Sequence, residues 1–257
     1  MADLATAPQS IGGVLDTGFK LFTASLKKVF WLALVAALIY APISLIARRY
    51  VAAPFGPAAI RGLWLPSFAI GIVALIIWTA VLVRMDGVAH DRDVPVGEAF
   101  SVGLGRVVPV FVAGLIYSLA SAIGIALIVI PGLIIMVYWL FGPIAAVVDR
   151  LGPIASLGYS FGIVRGHWWR TAALLTIIGI IAFVIYFVLG LIAGIAVALN
   201  IGQLAQGQMP WYLDFIVNPL LSAVASPLLY SLVLATFYDL KLRHEGGDLA
   251  ERIAAEA

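Results

Sequence analysis

The sequence contains no cysteine and few charged residues for its length. Its 257 residues include no Cys, and Asp, Glu, Lys and Arg together make up 11% of them. The missing cysteines exclude disulfides, thiolate metal sites and cysteine nucleophiles. An average soluble domain is about one quarter charged, and 15 basic plus 13 acidic side chains cannot cover a soluble protein of this size. The composition therefore excludes a soluble enzyme and a secreted disulfide scaffold. A net charge of +2 is too small to indicate a nucleic-acid partner.

Long stretches without any charged residue take up most of the chain. Apolar residues make up 63% of the sequence, and the mean hydropathy is +1.11. A membrane-spanning helix needs about 20 such residues. The stretch 107–148 is long enough for two spans, and Ile130, Pro131 and Gly132 form a turn signal at its middle. We therefore predict an all-α polytopic membrane protein, a single domain over residues 1–257, with spans near 30–48, 65–85, 107–129, 132–149, 171–198 and 214–238.

A weak internal repeat divides these six spans into three hairpins. A short segment containing a Phe and basic residues precedes the first, third and fifth spans, and apolar residues recur there at spacings of three and four. The sequence predicts an interfacial amphipathic helix before each hairpin, near 10–28, 95–105 and 153–167.

Lysine and arginine are unevenly divided between the two sides of these spans. Twelve lie on the side of the chain termini, whereas only Arg48, Arg49 and Arg61 lie on the other. Positive residues favour the cytoplasmic side of a membrane. We therefore expect both termini in the cytoplasm. Arg48, Arg49 and Arg61 either hold an outer phosphate group or cap the end of the first span.

The second, fourth and sixth spans each close on an aspartate: Asp86, Asp149 and Asp239. If the three hairpins pack around a common axis, these carboxylates converge, and they could bind a cation or relay protons. In the alternative, each pairs locally with a basic neighbour, which would be Arg84, Arg150, and Lys241 or Arg243. Asp239 is followed by polar sequence, which predicts that it is solvated.

Two clusters of basic and aromatic residues lie at the entrances of the first and fifth spans. Such clusters suit the headgroup region of a bilayer, where cations reach phosphate and rings anchor depth. They are candidate sites for anionic lipid headgroups, and their alternative role is generic anchoring. Their members are Lys27, Lys28 and Trp31, and Arg165, Trp168, Trp169 and Arg170.

Two polar residues precede prolines inside the sixth span, at Asn218-Pro219 and Ser226-Pro227. Broken helices of this kind either line a substrate site or only kink. A polar cavity between the fourth and sixth spans would indicate a transporter. The three histidines, His90, His167 and His244, have no ligand spacing, so we expect no metal site and no cofactor.

Two stretches resemble a known family. They are GPIAAVVDRLGPIASL at 142–157, continuing to SFGIVRGHWWR at 160–170, and the tail FYDLKLRHEGGDL at 237–249. Together they resemble the bacterial integral membrane family related to the membrane domain of glycerophosphoryl diester phosphodiesterases. Lys241 stands where that family usually has Arg, and Gly158 and Tyr159 where two basic residues are common. The resemblance implies a multi-span protein of the bacterial inner membrane, without the hydrolase's soluble catalytic domain.

Two classes of function follow. The first is a non-enzymatic membrane protein in lipid or envelope homeostasis, or an accessory subunit of a membrane complex. The second is a transporter or channel for a small solute or lipid. The expected partners are anionic membrane lipids, with another membrane protein as a further candidate, and no nucleic acid is expected.

Overall fold

The computed structural model describes residues 7–48, 50, 56–198 and 212–256, and every regular element within these ranges is a helix. The prediction of an all-α protein is confirmed. Six helical segments in the described ranges are long and apolar enough to cross a bilayer, as predicted. The elements are α1 (Ile11–Arg48), α2 (Pro57–Ala59), a π-helix (Ile60–Trp64), α3 (Leu65–Ala89), α4 (Val96–Leu127), α5 (Val129–Trp139), α6 (Gly142–Val148), α7 (Pro153–Val164), α8 (Trp168–Ala198), a second π-helix (Leu213–Val217) and α9 (Asn218–Glu256).

The segments predicted as three interfacial helices differ from one another in the structure. Helix α1 runs unbroken through 10–28 into the first span, and α4 runs unbroken through 95–105 into the third. Helix α4 continues even though Gly105 and Pro109 lie close to its junction with the span. Only the third segment is a separate helix, α7, which ends at Val164; Gly166 in the following turn has φ 84°, a conformation that favours glycine.

The turn between the third and fourth spans lies earlier than predicted. The single residue Ile128 joins α4 to α5 in an extended conformation, and Pro131 lies in the first turn of α5. Proline is tolerated there because the first helical N–H groups have no partner within the helix. Glycines close this hairpin: a Cβ on Gly132 would lie 2.4 Å from the backbone nitrogen of Ile125.

The fourth span is interrupted where α5 ends and α6 begins. Pro143 in the first turn of α6 has no N–H to donate to the preceding turn. A serine of α7 occupies the gap: the Ser160 hydroxyl donates to the carbonyl of Tyr138 at 2.7 Å and accepts from the N–H of Phe141 at 3.2 Å. The Ser160 side chain thereby joins α7 to the backbone of the fourth span.

The main apolar core lies at one end of the bundle, where α1 begins and α3 ends; we call this end the basic end. Its fully buried side chains come from α1, α3, α6, α7, α9 and the α5–α6 junction. Helix α1 packs on α9 there, since a Cβ on Gly18 would lie 2.7 Å from Leu232. Helix α8 is peripheral, with only 6% of its apolar span buried within the chain. The fold therefore concentrates its packed interior beside the charged residues.

Candidate functional site

The aspartate at the end of the sixth span is buried, not solvated as predicted. Asp239 on α9 accepts hydrogen bonds from Arg243 Nε at 3.0 Å, Arg170 Nη2 at 3.0 Å and the backbone N–H of Gln9 at 2.8 Å. Its side chain is 2% exposed. A buried carboxylate is tolerated when it is paired and its oxygens are hydrogen-bonded. The expectation of a solvated Asp239 was wrong because residues distant in sequence cover it.

The same two guanidinium groups also hold the segment before α1. Arg170 and Arg243 each donate through Nη2 to the carbonyl oxygen of Gln9 at 2.6 Å. The Gln9 side chain accepts from the hydroxyl of Thr17 at 3.0 Å. We call Gln9, Arg170, Asp239 and Arg243 the Gln9 clamp. It connects the start of the described chain to α8 and α9.

The other two aspartates lie against a different face of α9. Tyr238 and Lys241, three residues apart, share that face. The Tyr238 hydroxyl donates to Asp86 of α3, and the Lys241 ammonium pairs with Asp149 after α6. The second carboxylate oxygen of Asp149 is buried and accepts no hydrogen bond from a described residue.

The three aspartates therefore do not converge on one point. Of the expected local partners, Arg243 pairs with Asp239, and Lys241 pairs with Asp149 instead. Arg84 donates to the backbone carbonyl of Lys28, and Asp86 pairs with Arg92 and the ring of His90 at 3.3 Å each. Arg150 accepts at its carbonyl from Arg106 at 2.8 Å. These contacts join α9 to the residue after α6, α3 to α1, and α4 to Arg150, while the Gln9 clamp joins α9 to α8.

The candidate headgroup residues divide into two sets. Three are engaged with the protein: Lys28 pairs with Asp93 at 2.7 Å, Arg170 belongs to the Gln9 clamp, and the ring of Trp168 is half-buried. The Lys28 ammonium lowers the pKa of the Asp93 carboxyl below its usual value. The other four are exposed, with Trp31 at 71% and Trp169 at 82%. Within the described part of the chain, the remaining two, Lys27 and Arg165, are exposed and form no ion pair.

A cavity of about 300 Å³ lies at the basic end beside Asp86. Glu98, Arg92 and Arg150 contribute its other charged side chains, so the lining carries two acids and two bases. Arg150 has a backbone φ of 54°, in the left-handed region. Burial, followed by the charges of Asp149 and Glu245, raises the pKa of the Tyr159 phenol on α7.

A larger cavity, of about 440 Å³, lies between α1, α3 and α9, within the apolar spans. It is not the cavity between the fourth and sixth spans that we considered for a transporter, although the sixth span forms one wall. Asn218, Ser222 and Ser226 line that wall. Their spacing of four residues places them on one face of α9. The rings of Trp78 and Tyr230 stack beside them at 5.4 Å.

No group of three His, Asp or Glu side chains in the described ranges has the geometry of a metal site. His90 contacts Asp86, and His244 is exposed on α9. Arg61 is exposed at the other end of the bundle, whereas Arg49 and the side chain of Arg48 lie outside the described residues. An outer phosphate site at these arginines stays a prediction.

The family of the chain follows from residues 94–240, which match a domain of unknown function, DUF7847. The chain belongs to the DUF7847 family. No curated protein and no solved structure matches it. The matched region contains the first stretch on which the resemblance to phosphodiesterase membrane domains was based, and the beginning of the second. Nothing in these comparisons links DUF7847 to those domains.

The DUF7847 region supplies one partner in three of the polar contacts at α9. Asp239, Tyr238 and Asp149 lie inside the region, whereas their partners Gln9, Asp86 and Lys241 lie outside it. The larger cavity is divided in the same way, since α9 is matched and α1 and α3 are not. Both features are therefore completed by residues outside the family match.

Proposed function

We propose that this DUF7847 protein is a non-enzymatic multi-pass protein of the bacterial inner membrane that holds anionic lipid headgroups at its basic end, in membrane lipid or envelope homeostasis. The observation that carries the proposal is the separation of the basic residues into two sets. Lys28 and Arg170 are bound to carboxylates, whereas Lys27 and Arg165 are exposed close in sequence to the exposed rings of Trp31 and Trp169.

Exposed cations of this kind have a direct physical effect on lipid binding. Each Lys or Arg near an anionic bilayer surface contributes about 1 kcal/mol of attraction, which is roughly fivefold in affinity. Exposed Trp rings fix the depth of the site at the headgroup level. The combination supports retention of phosphatidylglycerol or cardiolipin, both of which present phosphate.

A structural role for the charged contacts supports the non-enzymatic assignment. Asp86, Asp149 and Asp239 hold helices together through Tyr238, Lys241 and the Gln9 clamp. Asp149 and Asp239 are ion-paired with protein cations in this way, which supports a structural role over a role as general acids or bases. The proposal includes no cofactor. An accessory role in a membrane complex is compatible with the exposed apolar surface of α8.

Native mass spectrometry tests this proposal. The double variant Lys27→Gln/Arg165→Gln is compared with the parent after gentle extraction, and we expect it to retain at least fivefold less phosphatidylglycerol and cardiolipin. The matched control is Lys27→Arg/Arg165→Lys, which keeps both positive charges at the same exposed positions and should retain these lipids like the parent. Equal lipid retention in parent and Lys27→Gln/Arg165→Gln would contradict a specific site.

Transport of an uncharged solute or lipid is the second candidate function. The cavity between α1, α3 and α9 favours it, because three polar residues of α9, a continuous helix that contains Pro227, line a space within the apolar spans. The test is counterflow of a labelled candidate substrate in proteoliposomes. Uptake of that substrate no faster than in vesicles without protein would contradict transport.

A further inference from the structure

The larger cavity combines hydrogen-bonding groups with an apolar location. Its polar side chains are the amide of Asn218, the hydroxyls of Ser222 and Ser226, and two phenols, Tyr40 and Tyr230. All lie in helices that are apolar enough to cross a bilayer. Within the described ranges, no hydrogen bond joins these five side chains to another side chain or to the backbone, and their polar atoms open onto the cavity rather than being fully enclosed by protein.

Unpartnered polar groups inside the hydrocarbon region are costly, because no bulk water is available to satisfy them. The cost is removed when a molecule in the cavity supplies donors and acceptors. Ala37 and Ala41 of α1 face the same space, and their small side chains leave it open. The packing of this part of α1 therefore preserves a cavity whose wall on α9 is polar.

The lining also limits the charge of an occupant. Among the described residues, no Asp, Glu, Lys, Arg or His side chain lines the cavity. An unpaired charge would be strongly disfavoured in such a place. Hydroxyl and carbonyl groups, in contrast, can both donate to and accept from serine, tyrosine and asparagine side chains.

Size and shape limit the occupant further. A volume of about 440 Å³ lies within the usual range for small-molecule sites. It holds about 15 groups of water size, at roughly 30 Å³ each. That space suits a sugar-sized polyol or the headgroup of a neutral glycerolipid, whose acyl chains would leave through the open side of the cavity.

We propose that the cavity between α1, α3 and α9 binds an uncharged ligand bearing hydroxyl or carbonyl groups. Ser222, Ser226 and Asn218 form the hydrogen-bonding wall, and the stacked rings of Trp78 and Tyr230 form an apolar wall beside it. The ligand comes either from the bilayer, as a neutral glycerolipid, or from solution, as a polyol. This site is separate from the lipid-headgroup residues at the basic end and does not depend on them.

Binding of labelled dioleoylglycerol to the protein in phosphatidylcholine nanodiscs tests the proposal. We expect saturable binding to the parent, weakened at least tenfold in Ser222→Ala/Ser226→Ala and also by Ala37→Leu, which fills the cavity. Dioleoyl phosphatidic acid, which has the same chains but carries charge, is expected to bind at least tenfold more weakly. Sorbitol is added as a competitor: displacement of the lipid assigns a polyol from solution, and no displacement assigns the glycerolipid.

Two controls keep the outcome interpretable. Ser118→Ala removes a span serine of α4 outside this cavity and should leave binding unchanged. Ser222→Thr/Ser226→Thr keeps both hydroxyls and should retain more binding than the alanine variant. The proposal is overturned if neither labelled dioleoylglycerol nor labelled sorbitol binds the parent saturably, if Ser222→Ala/Ser226→Ala binds the ligand as tightly as the parent, or if phosphatidic acid binds as well as dioleoylglycerol. Lys27→Gln/Arg165→Gln should leave this binding unchanged, which separates failure here from failure at the basic end.

Discussion

At the residue scale, consecutive polar residues of α9 contact different helices because adjacent residues of a helix point in different directions. Tyr238 contacts Asp86 on α3, whereas the next residue, Asp239, contacts Arg170 on α8. Residues three and four apart share a helix face, so Lys241 extends the first set and Arg243 the second. The end of the sixth span is thereby attached on two sides, and each attachment is a separate target for mutation.

The Gln9 clamp predicts the cost of neutralising its central carboxylate. Asp239→Asn leaves Arg170 and Arg243 without a counter-charge at a buried position. Loss of one partner from a buried pair costs about 3–5 kcal/mol. We expect a clear fall in Tm in detergent, measured by circular dichroism. Asp16→Asn, which breaks an exposed pair with Lys20, should cost less than about 1 kcal/mol. Equal shifts for the two variants would contradict a buried clamp.

The pair formed by Lys241 and Asp149 predicts energetic coupling between α9 and the end of α6. Residues in direct ionic contact show interaction energies of about 0.5–3 kcal/mol in double-mutant cycles. Lys241→Met, Asp149→Asn and the double variant should therefore be non-additive, with the double variant less destabilised than the sum. Thermal unfolding of all four proteins measures this, and additive effects would show that the contact contributes no stability.

The sequence alone identified only some of the residues that take part in these contacts. The three aspartates and Arg243 were identified because charges are rare and lie at span ends. Gln9 was missed because it contributes its backbone N–H and carbonyl, and backbone groups carry no residue signal. Tyr238 was not singled out because a tyrosine near a span end usually serves as an interfacial anchor.

At the element scale, close approach of backbones determines where the α4–α5 hairpin turns. A Cβ on Gly132 would lie 2.4 Å from the nitrogen of Ile125, and one on Gly124 would lie 2.8 Å from the Cα of Gly132. Sequence reasoning placed the turn at Pro131 and Gly132 because Pro-Gly is a common turn signal. The glycine is instead needed for packing, and the proline opens a helix.

This packing predicts a difference between two glycine substitutions in spans. Gly132→Ala should lower the Tm substantially, since the backbone atoms it meets cannot move without opening the hairpin. Gly190→Ala on α8 meets nothing within 4 Å, and alanine is the better helix former by about 1 kcal/mol. We expect it to be neutral or slightly stabilising. A Gly132→Ala variant as stable as Gly190→Ala would contradict the hairpin.

The number and approximate positions of the spans were predictable because charge-free length is a direct consequence of the bilayer. Helix breaks were less predictable. The interruption between α5 and α6 depends on Pro143. The backbone groups of Tyr138 and Phe141 at this interruption are hydrogen-bonded by Ser160, which lies on another helix. The continuity of α1 and α4 shows that a change in face polarity does not by itself end a helix.

At the scale of the whole molecule, the packed and charged end of the bundle contrasts with its apolar periphery. The core and the ion pairs share the basic end, while α8 exposes apolar side chains along most of its length. This arrangement suits a protein that is anchored at a headgroup region and surrounded by lipid elsewhere. It also predicts that the protein has no hydrolytic activity of its own.

The absence of hydrolytic activity can be tested with glycerophosphodiesters as substrates. The purified protein should release no product from glycerophosphodiesters above the level of a mock purification, because its carboxylates hold helices together. Product formation is measured by phosphorus NMR. Turnover that persists after further purification, and that a point variant of this chain abolishes, would contradict the assignment.

We propose that both termini lie in the cytoplasm and that the basic end faces the anionic inner leaflet. Cysteine labelling tests this central claim most directly. The chain has no Cys, so a single introduced cysteine reports alone. Glu98→Cys lies at the basic end and Ala58→Cys at the other, both at exposed positions. In intact spheroplasts a membrane-impermeant maleimide should label Ala58→Cys, and should label Glu98→Cys only after permeabilisation. Labelling of Glu98→Cys in intact spheroplasts would contradict the account.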